Sequence, residues 1–450
     1  MKEAFKKIGK HITPVQMIVI FYMSAVIFSV LLLSLPMFHK SGGSWSITDA
    51  FFTAVSAISV TGLSTISVPE TFNTAGIFAL SFVLQIGGIG LMTLGTFFWL
   101  VARKKIGFKE RMLIMTDQNQ STYAGLVQLT RHILGLMISI ELIGTLVLGT
   151  YFLTYFPDAK DAYFHGFFGA VSATTNAGFD ITGASLVPYK DDYFVQIVHM
   201  ILIVLGAIGF PVLIELKNYF LTKRKHQFRF SLFTKLTTVT FFILIVIGTI
   251  GIYLLERKHF FLDKTADETF FYALFQSVTT RSGGLATMDM NEFSNPTLVL
   301  ISVLMFIGAS PCSVGGGIRT TTLAINILAV KAFIRGKYFV TIFNREIGME
   351  DIVKSFVVTF LGAFLCIFAT IALLYTEDFS ILQIVFEVCS AFGTTGLSMG
   401  ITPDLSNIGK WILIALMFIG RMGILSTLLL FGIKKHSPKI RYPKEKVPIG

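Results

Sequence analysis

The chain has 450 residues, of which 53% are hydrophobic and only 14% charged, with a formal net charge of +11. Soluble domains carry about 25% charged residues, and here the charge is missing in blocks, with no Asp, Glu, Lys or Arg in residues 11–39 or 71–102. Each block exceeds the roughly 20 residues that cross a bilayer as a helix, which excludes a soluble globular protein and points to a polytopic membrane protein embedded in a lipid bilayer.

The basic N-terminus and the apolar run after it have the outline of a signal peptide. The run is too long and no small-residue cleavage site follows, so it reads as the first membrane helix. Basic residues gather at 2–10, 103–111, 217–229, 331–345 and 434–446, each beside the end of an apolar run. This is the positive-inside pattern. Such segments already face anionic lipid, so the positive charge does not indicate nucleic acid. Cys312, Cys366 and Cys389 form no CxxC pair and give neither a disulfide framework nor a zinc site. The chain has no HExxH, no GxSxG and no paired Cys/His cluster, so it does not read as an enzyme.

Taken in chain order, one pattern recurs four times. Long apolar runs cover about 14–36, 131–156, 232–255 and 352–375. A short apolar piece follows each: DAFFTAV (49–55), FHGFFGAV (164–171), FFYALFQ (270–276) and FSILQIVFEVC (379–389). Next come the polar segments SAISVTGLS (56–64), SATTNAGFD (172–180), SVTTRSGGL (277–285) and SAFGTTGLS (390–398), which align on Gly62, Gly178, Gly283 and Gly396. Second apolar runs follow at about 76–102, 192–220, 296–332 and 408–433. They contain QIGGIGLM, LGAIGFPV, FIGASPCSVGGGIR and FIGRMGIL. Two markers in the same order at similar spacing identify internal repeats.

Each repeat reads as helix, half-helix, polar glycine segment, helix (M1, P, M2). The basic clusters put the M1 starts and M2 ends on one side, so each P segment dips into the membrane and returns. The expected fold is an all-α polytopic membrane protein with eight transmembrane helices and four re-entrant P-loops around a central pseudo-fourfold pore. Repeat boundaries fall at 1–112, 113–228, 229–345 (with a broken M2) and 346–450 (with a cytoplasmic tail). The loops opposite the basic clusters hold Asp49, Glu70, Asp158, Asp191, Asp192, Glu377 and other acids, which reads either as a cation-attracting vestibule or as ordinary solvated loops.

Non-helical backbone at membrane depth is tolerated only where protein buries it or where it lines a water-filled cavity. Four such loops can converge on one axis, where their carbonyls replace a cation's hydration shell. Turning successive carbonyls toward one line needs a residue at φ > 0, which glycine supplies without steric cost.

Four such units with one glycine per polar segment resemble the Trk/Ktr/HKT superfamily of potassium transporters over essentially the whole chain. With no helix pair expected ahead of the first repeat, the resemblance is to its bacterial KtrB/KtrD-type membrane subunits. It implies a potassium-translocating subunit of a Ktr-type uptake system in the bacterial plasma membrane, with both termini cytoplasmic. The selectivity filter would comprise Ser59, Val60, Thr61 and Gly62; Thr175, Asn176, Ala177 and Gly178; Thr280, Arg281, Ser282 and Gly283; and Gly393, Thr394, Thr395 and Gly396. K⁺ would meet the backbone carbonyls of Thr61, Gly62, Ala177, Gly178, Ser282, Gly283, Thr395 and Gly396. In plant members a Ser at the first glycine goes with Na⁺ selectivity, so four glycines imply K⁺. One glycine per repeat, rather than the two of TVGYG, suggests fewer well-formed sites and weaker rejection of Na⁺.

The third M2 contains FIGASPCSVGGGIRTTT (306–322). Gly costs about 1 kcal/mol and Pro about 3 kcal/mol in a helix interior, so this helix should break. By resemblance, Gly308, Ala309, Ser310, Pro311, Gly315, Gly316 and Gly317 form an intramembrane gating loop over 308–320, with Arg421 as a barrier beside it. A mid-membrane charge is costly unless paired or facing water, and Arg421 is expected to line the cavity. Glu141 is expected to pair locally. The direction of the Arg281 side chain stays open.

Within this chain no cofactor is expected; K⁺ is the transported ion, and whether Na⁺ activates transport is left open. The resemblance implies a membrane homodimer and a separate cytoplasmic ring of RCK-type regulatory subunits (KtrA/KtrC-like) that bind ATP or ADP. Residues 103–130, 221–231 and 432–450 are candidate docking surfaces, with plain lipid contact as the alternative. The other reading is a secondary transporter of another solute, with broken helices around a midplane site. Four parallel repeats argue against it.

Overall fold

Residues 14–40, 45–90, 126–222, 228–430, 443, 445, 447 and 448 are described by the structure, a computed structural model. Both chain ends, the basic clusters at 2–10 and 103–111, and most of the candidate docking surfaces at 103–130, 221–231 and 432–450 lie outside the described residues.

Helices dominate. In chain order they are α1 (Pro14–Leu33), α2 (Ile47–Ser59) and α3 (Thr74–Ile89); then α4 (Leu126–Phe152), α5 (Ala159–Thr174), α6 (Tyr193–Ala207) and α7 (Phe210–Leu221). There follow α8 (Leu232–Glu256), α9 (Ala266–Thr279), α10 (Asn295–Ile307) and α11 (Thr320–Ile334). A two-stranded hairpin, β1 (Thr341–Ile342) and β2 (Arg345–Glu346), leads to α12 (Met349–Thr376), α13 (Ile381–Gly393), α14 (Asn407–Met422) and α15 (Ile424–Leu430). Among the described residues α1, α4, α8 and α12 contain stretches long and apolar enough to cross a membrane. Their outer faces expose Ile20, Leu31, Ile143, Leu146, Val246, Ile250, Phe360 and Ile371. Only a bilayer solvates a surface of that kind, and the chain is a multi-pass membrane protein.

The second apolar runs differ from the expected unbroken helices. A break was expected in the third run alone. It occurs in the second run as well, where α6 and α7 meet at 103°, and in the fourth, between α14 and α15. The cause is a glycine with positive φ at each site: Gly209 (103°), Gly308 (64°) and Gly423 (82°). In the first run α3 also ends at such a glycine, Gly90 (87°), where the described residues pause. A left-handed backbone ends the helical hydrogen-bond ladder, and glycine adopts it without a Cβ penalty.

Packing closes the short helices into a ring. α3 lies between α2 and α5, α6 between α5 and α9, α10 against α13, and α14 between α13 and α2. The approach is backbone to backbone. A Cβ added at Gly87 would lie 2.5 Å from Ile58 O, at Gly206 2.2 Å from Thr174 O, and at Gly420 2.0 Å from Phe392 O. This contact is the physical reason for the glycine motif in these second runs. Glu141 is buried and accepts from Gln85 Nε2 at 2.5 Å, so its partner is on α3 and not local as expected. At the opposite end the acids act largely as caps. Glu256 accepts from Ser294 N (2.8 Å), Glu377 from Ser406 N (3.0 Å) and Asp192 from Phe194 N (3.0 Å), while Asp49 instead pairs with Lys410 (3.1 Å).

Gly206→Ala and Gly420→Ala are expected to lose about 3 kcal/mol each, because the added methyl meets rigid backbone. Gly135→Ala, whose Cβ meets nothing within 4 Å, should be neutral or stabilising. Melting temperatures of the three variants in detergent check this ordering.

Candidate functional site

At the end of each of the four short helices, α2, α5, α9 and α13, the chain turns back. The turn is made by a residue in the left-handed region: Val60 (φ 58°), Asn176 (53°), Ser282 (67°) and Thr394 (48°). For a β-branched residue such as Val60 this conformation is a genuine outlier, held by its surroundings. Two residues later comes a glycine at positive φ: Gly62 (94°), Gly178 (67°), Gly284 (74°) and Gly396 (94°).

These four glycines touch in a ring. A Cβ on Gly62 would lie 2.9 Å from Gly178 Cα, and one on Gly178 would lie 2.9 Å from Gly284 Cα. One on Gly284 would lie 2.4 Å from Thr395 O, and one on Gly396 would lie 2.2 Å from Thr61 O. Of the aligned glycines, Gly283 is therefore a correction. It has no positive φ, and its Cβ would face Thr279 and the Ile203 side chain, away from the ring. Gly283 N donates to Thr279 O at 2.7 Å, which holds it in the turn and delivers its neighbour Gly284 to the ring.

The remaining sequence-predicted residues are brought together here. Ser59, Val60, Thr61, Thr175, Asn176, Ala177, Thr280, Arg281, Ser282, Thr394 and Thr395 are all fully buried, and Gly393 is the last residue of α13. Thr61 N, Ala177 N and Thr395 N donate back to Ser56 O, Ser172 O and Ser390 O at 2.8–2.9 Å. Helix hydroxyls fasten the returning strand: Ser56 Oγ and Ser390 Oγ accept from Gly62 N and Gly396 N (3.1 Å), while Ser172 Oγ and Thr279 Oγ1 donate to Phe179 O (2.5 Å) and Leu285 O (2.6 Å). With these groups engaged outward, Thr61 O, Ala177 O and Thr395 O lie against the neighbouring glycines. The residue after each ring glycine (Leu63, Phe179, Leu285 or Leu397) is at most 2% exposed and anchors the strand in the core. That fourfold repeat of a large apolar residue was present in the sequence and could have been read.

Beneath the ring, residues 308–319 join α10 to α11 as a folded loop. Ala309 N donates to Gly316 O (3.2 Å), Ser310 N to Ala207 O (3.1 Å) and Val314 N to Gly206 O (3.3 Å). Pro311 O lies under Gly209, and Gly308 and Gly317 stack backbone on backbone. The Val314 side chain fills the space beside Gly88 and Gly206; Gly315 abuts Ser282, and Gly316 abuts Thr394. Residues from all four polar segments or their second helices thus touch this one loop. Arg421 donates to Val314 O, Gly87 O and Gly315 O, and Arg319 donates to Gly315 O. On the side of the loop away from the ring, a cavity of about 310 Å³ is lined by Arg319, Arg421, Ser313, Thr321 and Thr322. Val314 and Arg319 were not singled out from the sequence. Arg319, with its charge at the start of a membrane helix, was the readable signal.

The cation transport protein family model, TrkH, matches residues 8–442. Ktr system potassium uptake protein D of Bacillus subtilis is 54% identical over the whole of both chains. Potassium/sodium uptake protein NtpJ of Enterococcus hirae is 35% identical over 99% of each, and Ktr system potassium uptake protein B of Bacillus subtilis 36% identical over 97% of each. Among solved structures, the potassium transporter TrkH from Vibrio parahaemolyticus matches with TM-score 0.70 at 21% identity, covering 92% of this chain and 84% of that one. That likeness is one of fold.

Gly284→Ala is expected to be the severe substitution of the glycine pair, through the left-handed penalty of about 1–2 kcal/mol and the 2.4 Å approach to Thr395 O. Gly283→Ala should be mild. Comparing the yield and melting temperature of the two variants tests the register.

Proposed function

The chain belongs to the TrkH family of cation transport proteins, and on that premise we propose that it is the potassium-translocating membrane subunit of a Ktr-type uptake system. A cation transporter of this family is not an enzyme. The relatives' names support potassium as the cargo, and the recurrence of a short helix, a left-handed turn and a positive-φ glycine supports four repeats. In this reading the glycine ring is the selectivity filter. K⁺ sheds water against the carbonyls of Thr61, Gly62, Ala177, Gly178, Thr395 and Gly396, with Gly283 and Gly284 supplying the third quarter. Ser59, Val60, Thr175, Asn176, Thr280, Ser282, Gly393 and Thr394 hold those carbonyls in place. Preorganised dipoles of this kind replace a hydration shell at little reorganisation.

The observation that carries the reading is the placement of residues 314–316. They sit below the ring and touch Gly88, Gly206, Ser282 and Thr394, one from each repeat. An ion leaving the ring along the axis meets this loop. The segment Gly308, Ala309, Ser310, Pro311, Gly315, Gly316 and Gly317 is accordingly the gate. Arg421 fastens it through Val314 O and Gly87 O and sets positive charge on the cation's path. Hydrogen bonds to charged groups contribute about 1.5–3 kcal/mol each, so opening needs an external drive. A homodimer regulated by a cytoplasmic nucleotide-binding RCK-type ring fits that need, and the naming of relatives as parts of a Ktr system supports it.

Reconstituted chain in liposomes should show a resting K⁺ flux, and Gly178→Asp, whose Cβ would lie 2.9 Å from Gly284 Cα, should abolish it, read on protein that elutes as wild type does; flux unaffected by that substitution would remove the filter assignment. A Na⁺-gradient arm measures how strictly the ring discriminates. Gly316→Ala places a methyl 2.6 Å from Thr394 Oγ1 and must displace the loop. Its resting K⁺ flux is expected to rise about tenfold, the equivalent of one lost charge-assisted hydrogen bond.

A further inference from the structure

The third repeat is set apart twice. Its ring glycine comes one residue later than the sequence alignment places it, and its second helix is interrupted by residues 308–319, where those of the second and fourth repeats are interrupted by one or two residues. Arg281 joins the two departures. It immediately precedes left-handed Ser282, and among the described residues it is the bulkiest of the fully buried side chains. Its guanidinium donates to Leu304 O at 2.5 Å, to Gly308 O at 3.4 Å and to Thr280 Oγ1 at 3.4 Å. Leu304 O also accepts from Gly308 N at 3.3 Å, and Gly308 is where α10 stops. The cation therefore sits on the open carbonyl end of α10, where the helix dipole favours it.

No ion pair to a carboxylate forms at Arg281 among the described residues, and its Nε has no hydrogen-bond partner. A buried guanidinium without a counter-charge is an expensive way to fill space, since an apolar side chain of similar volume would do so more cheaply. Its distinguishing property is what it ties together. Ser282, next in the chain, adds a second tie, with Oγ donating to Gly393 O at 3.0 Å and packing beside Gly315.

We propose that Arg281 locks the third filter loop to the hinge at Gly308, so that gate movement and ion discrimination change together. The proposal rests on the pore reading above. Motion about Gly308 either carries the backbone at 280–284 with it or breaks the bonds to Leu304 O and Gly308 O.

The test is liposome flux of the full chain in opposed K⁺ and Na⁺ gradients, with Arg281→Lys and Arg281→Met beside wild type and Gly178→Asp. Lys keeps a cation at α10 but lacks the planar fork that reaches two carbonyls at once. In both variants the resting K⁺ flux is expected to rise, and the K⁺-over-Na⁺ permeability ratio to fall, each by about tenfold, the factor for one lost charge-assisted hydrogen bond. A change in only one of the two properties, or wild-type behaviour in both, overturns the coupling. Gly308→Ala decides from the other end of the link, even where the Arg281 variants fail to assemble. Its Cβ would meet Gly316 O at 2.1 Å, and it should lower the permeability ratio from outside the filter; an unchanged ratio overturns the proposal. Gly178→Asp separates the two levels. If it conducts like wild type, the pore reading fails; if it is dead while the Arg281 variants match wild type, the coupling alone fails.

Discussion

Four segments of one chain have to bring their backbones into van der Waals contact around one line, and at the point of closest approach there is no room for a Cβ. Gly62, Gly178, Gly284 and Gly396 meet that constraint, each with a positive φ that turns the chain as well as a neighbour where its side chain would be. Most of the architecture serves it. Each short helix is buried along its last turns so that its C-terminal residues can deliver the turn. Serine and threonine hydroxyls of those turns fasten the returning strand, and a large apolar residue then anchors it. The backbone contact propagates outward, since Gly87, Gly206 and Gly420 press on the carbonyls of the same short helices.

Breaking helices at membrane depth leaves carbonyls without their usual donors, and in a bilayer no water arrives to satisfy them. Here backbone N–H groups of the 308–319 loop serve Gly206 O and Ala207 O, and arginines serve several of the others. Arg281 takes the carbonyls at the end of α10, Arg319 that of Gly315, and Arg421 those of Gly87, Val314 and Gly315. Each guanidinium presents five donors in a fixed fork and stays protonated, which suits it to several backbone oxygens at once.

Much of this was legible in the sequence because the repeat displays every feature several times over. The four long helices, the four short ones and three of the four ring glycines follow from the alignment. What failed did so for local reasons. Gly283 and Gly284 are adjacent, and composition cannot say which of two glycines turns left-handed; the hydrogen bond from Gly283 N to Thr279 O decides it. The breaks at Gly209 and Gly423 escape the sequence reading because the paired glycines there (Gly206 and Gly209, Gly420 and Gly423) are a weaker helix-breaking signal than the proline and four glycines of 308–317. The far-side acids were legible as a group but not as caps, since capping depends on which backbone N–H groups the fold brings to Glu377 or Asp192.

The inequality of the repeats follows from the same sterics. The line beneath the ring admits one folded loop, and Val314, Gly315 and Gly316 already meet all four neighbours there. Four identical subunits would each carry the same loop and compete for that space, or would each need a smaller device. A single chain holding four diverged repeats lets one of them supply the loop while the second and fourth keep a short break. The cost is that the repeat carrying the loop must stay in register with a glycine ring it also helps to build. Its extra residue before the ring glycine, and the buried arginine that ties this turn to the loop's first hinge, are where the structure meets that requirement.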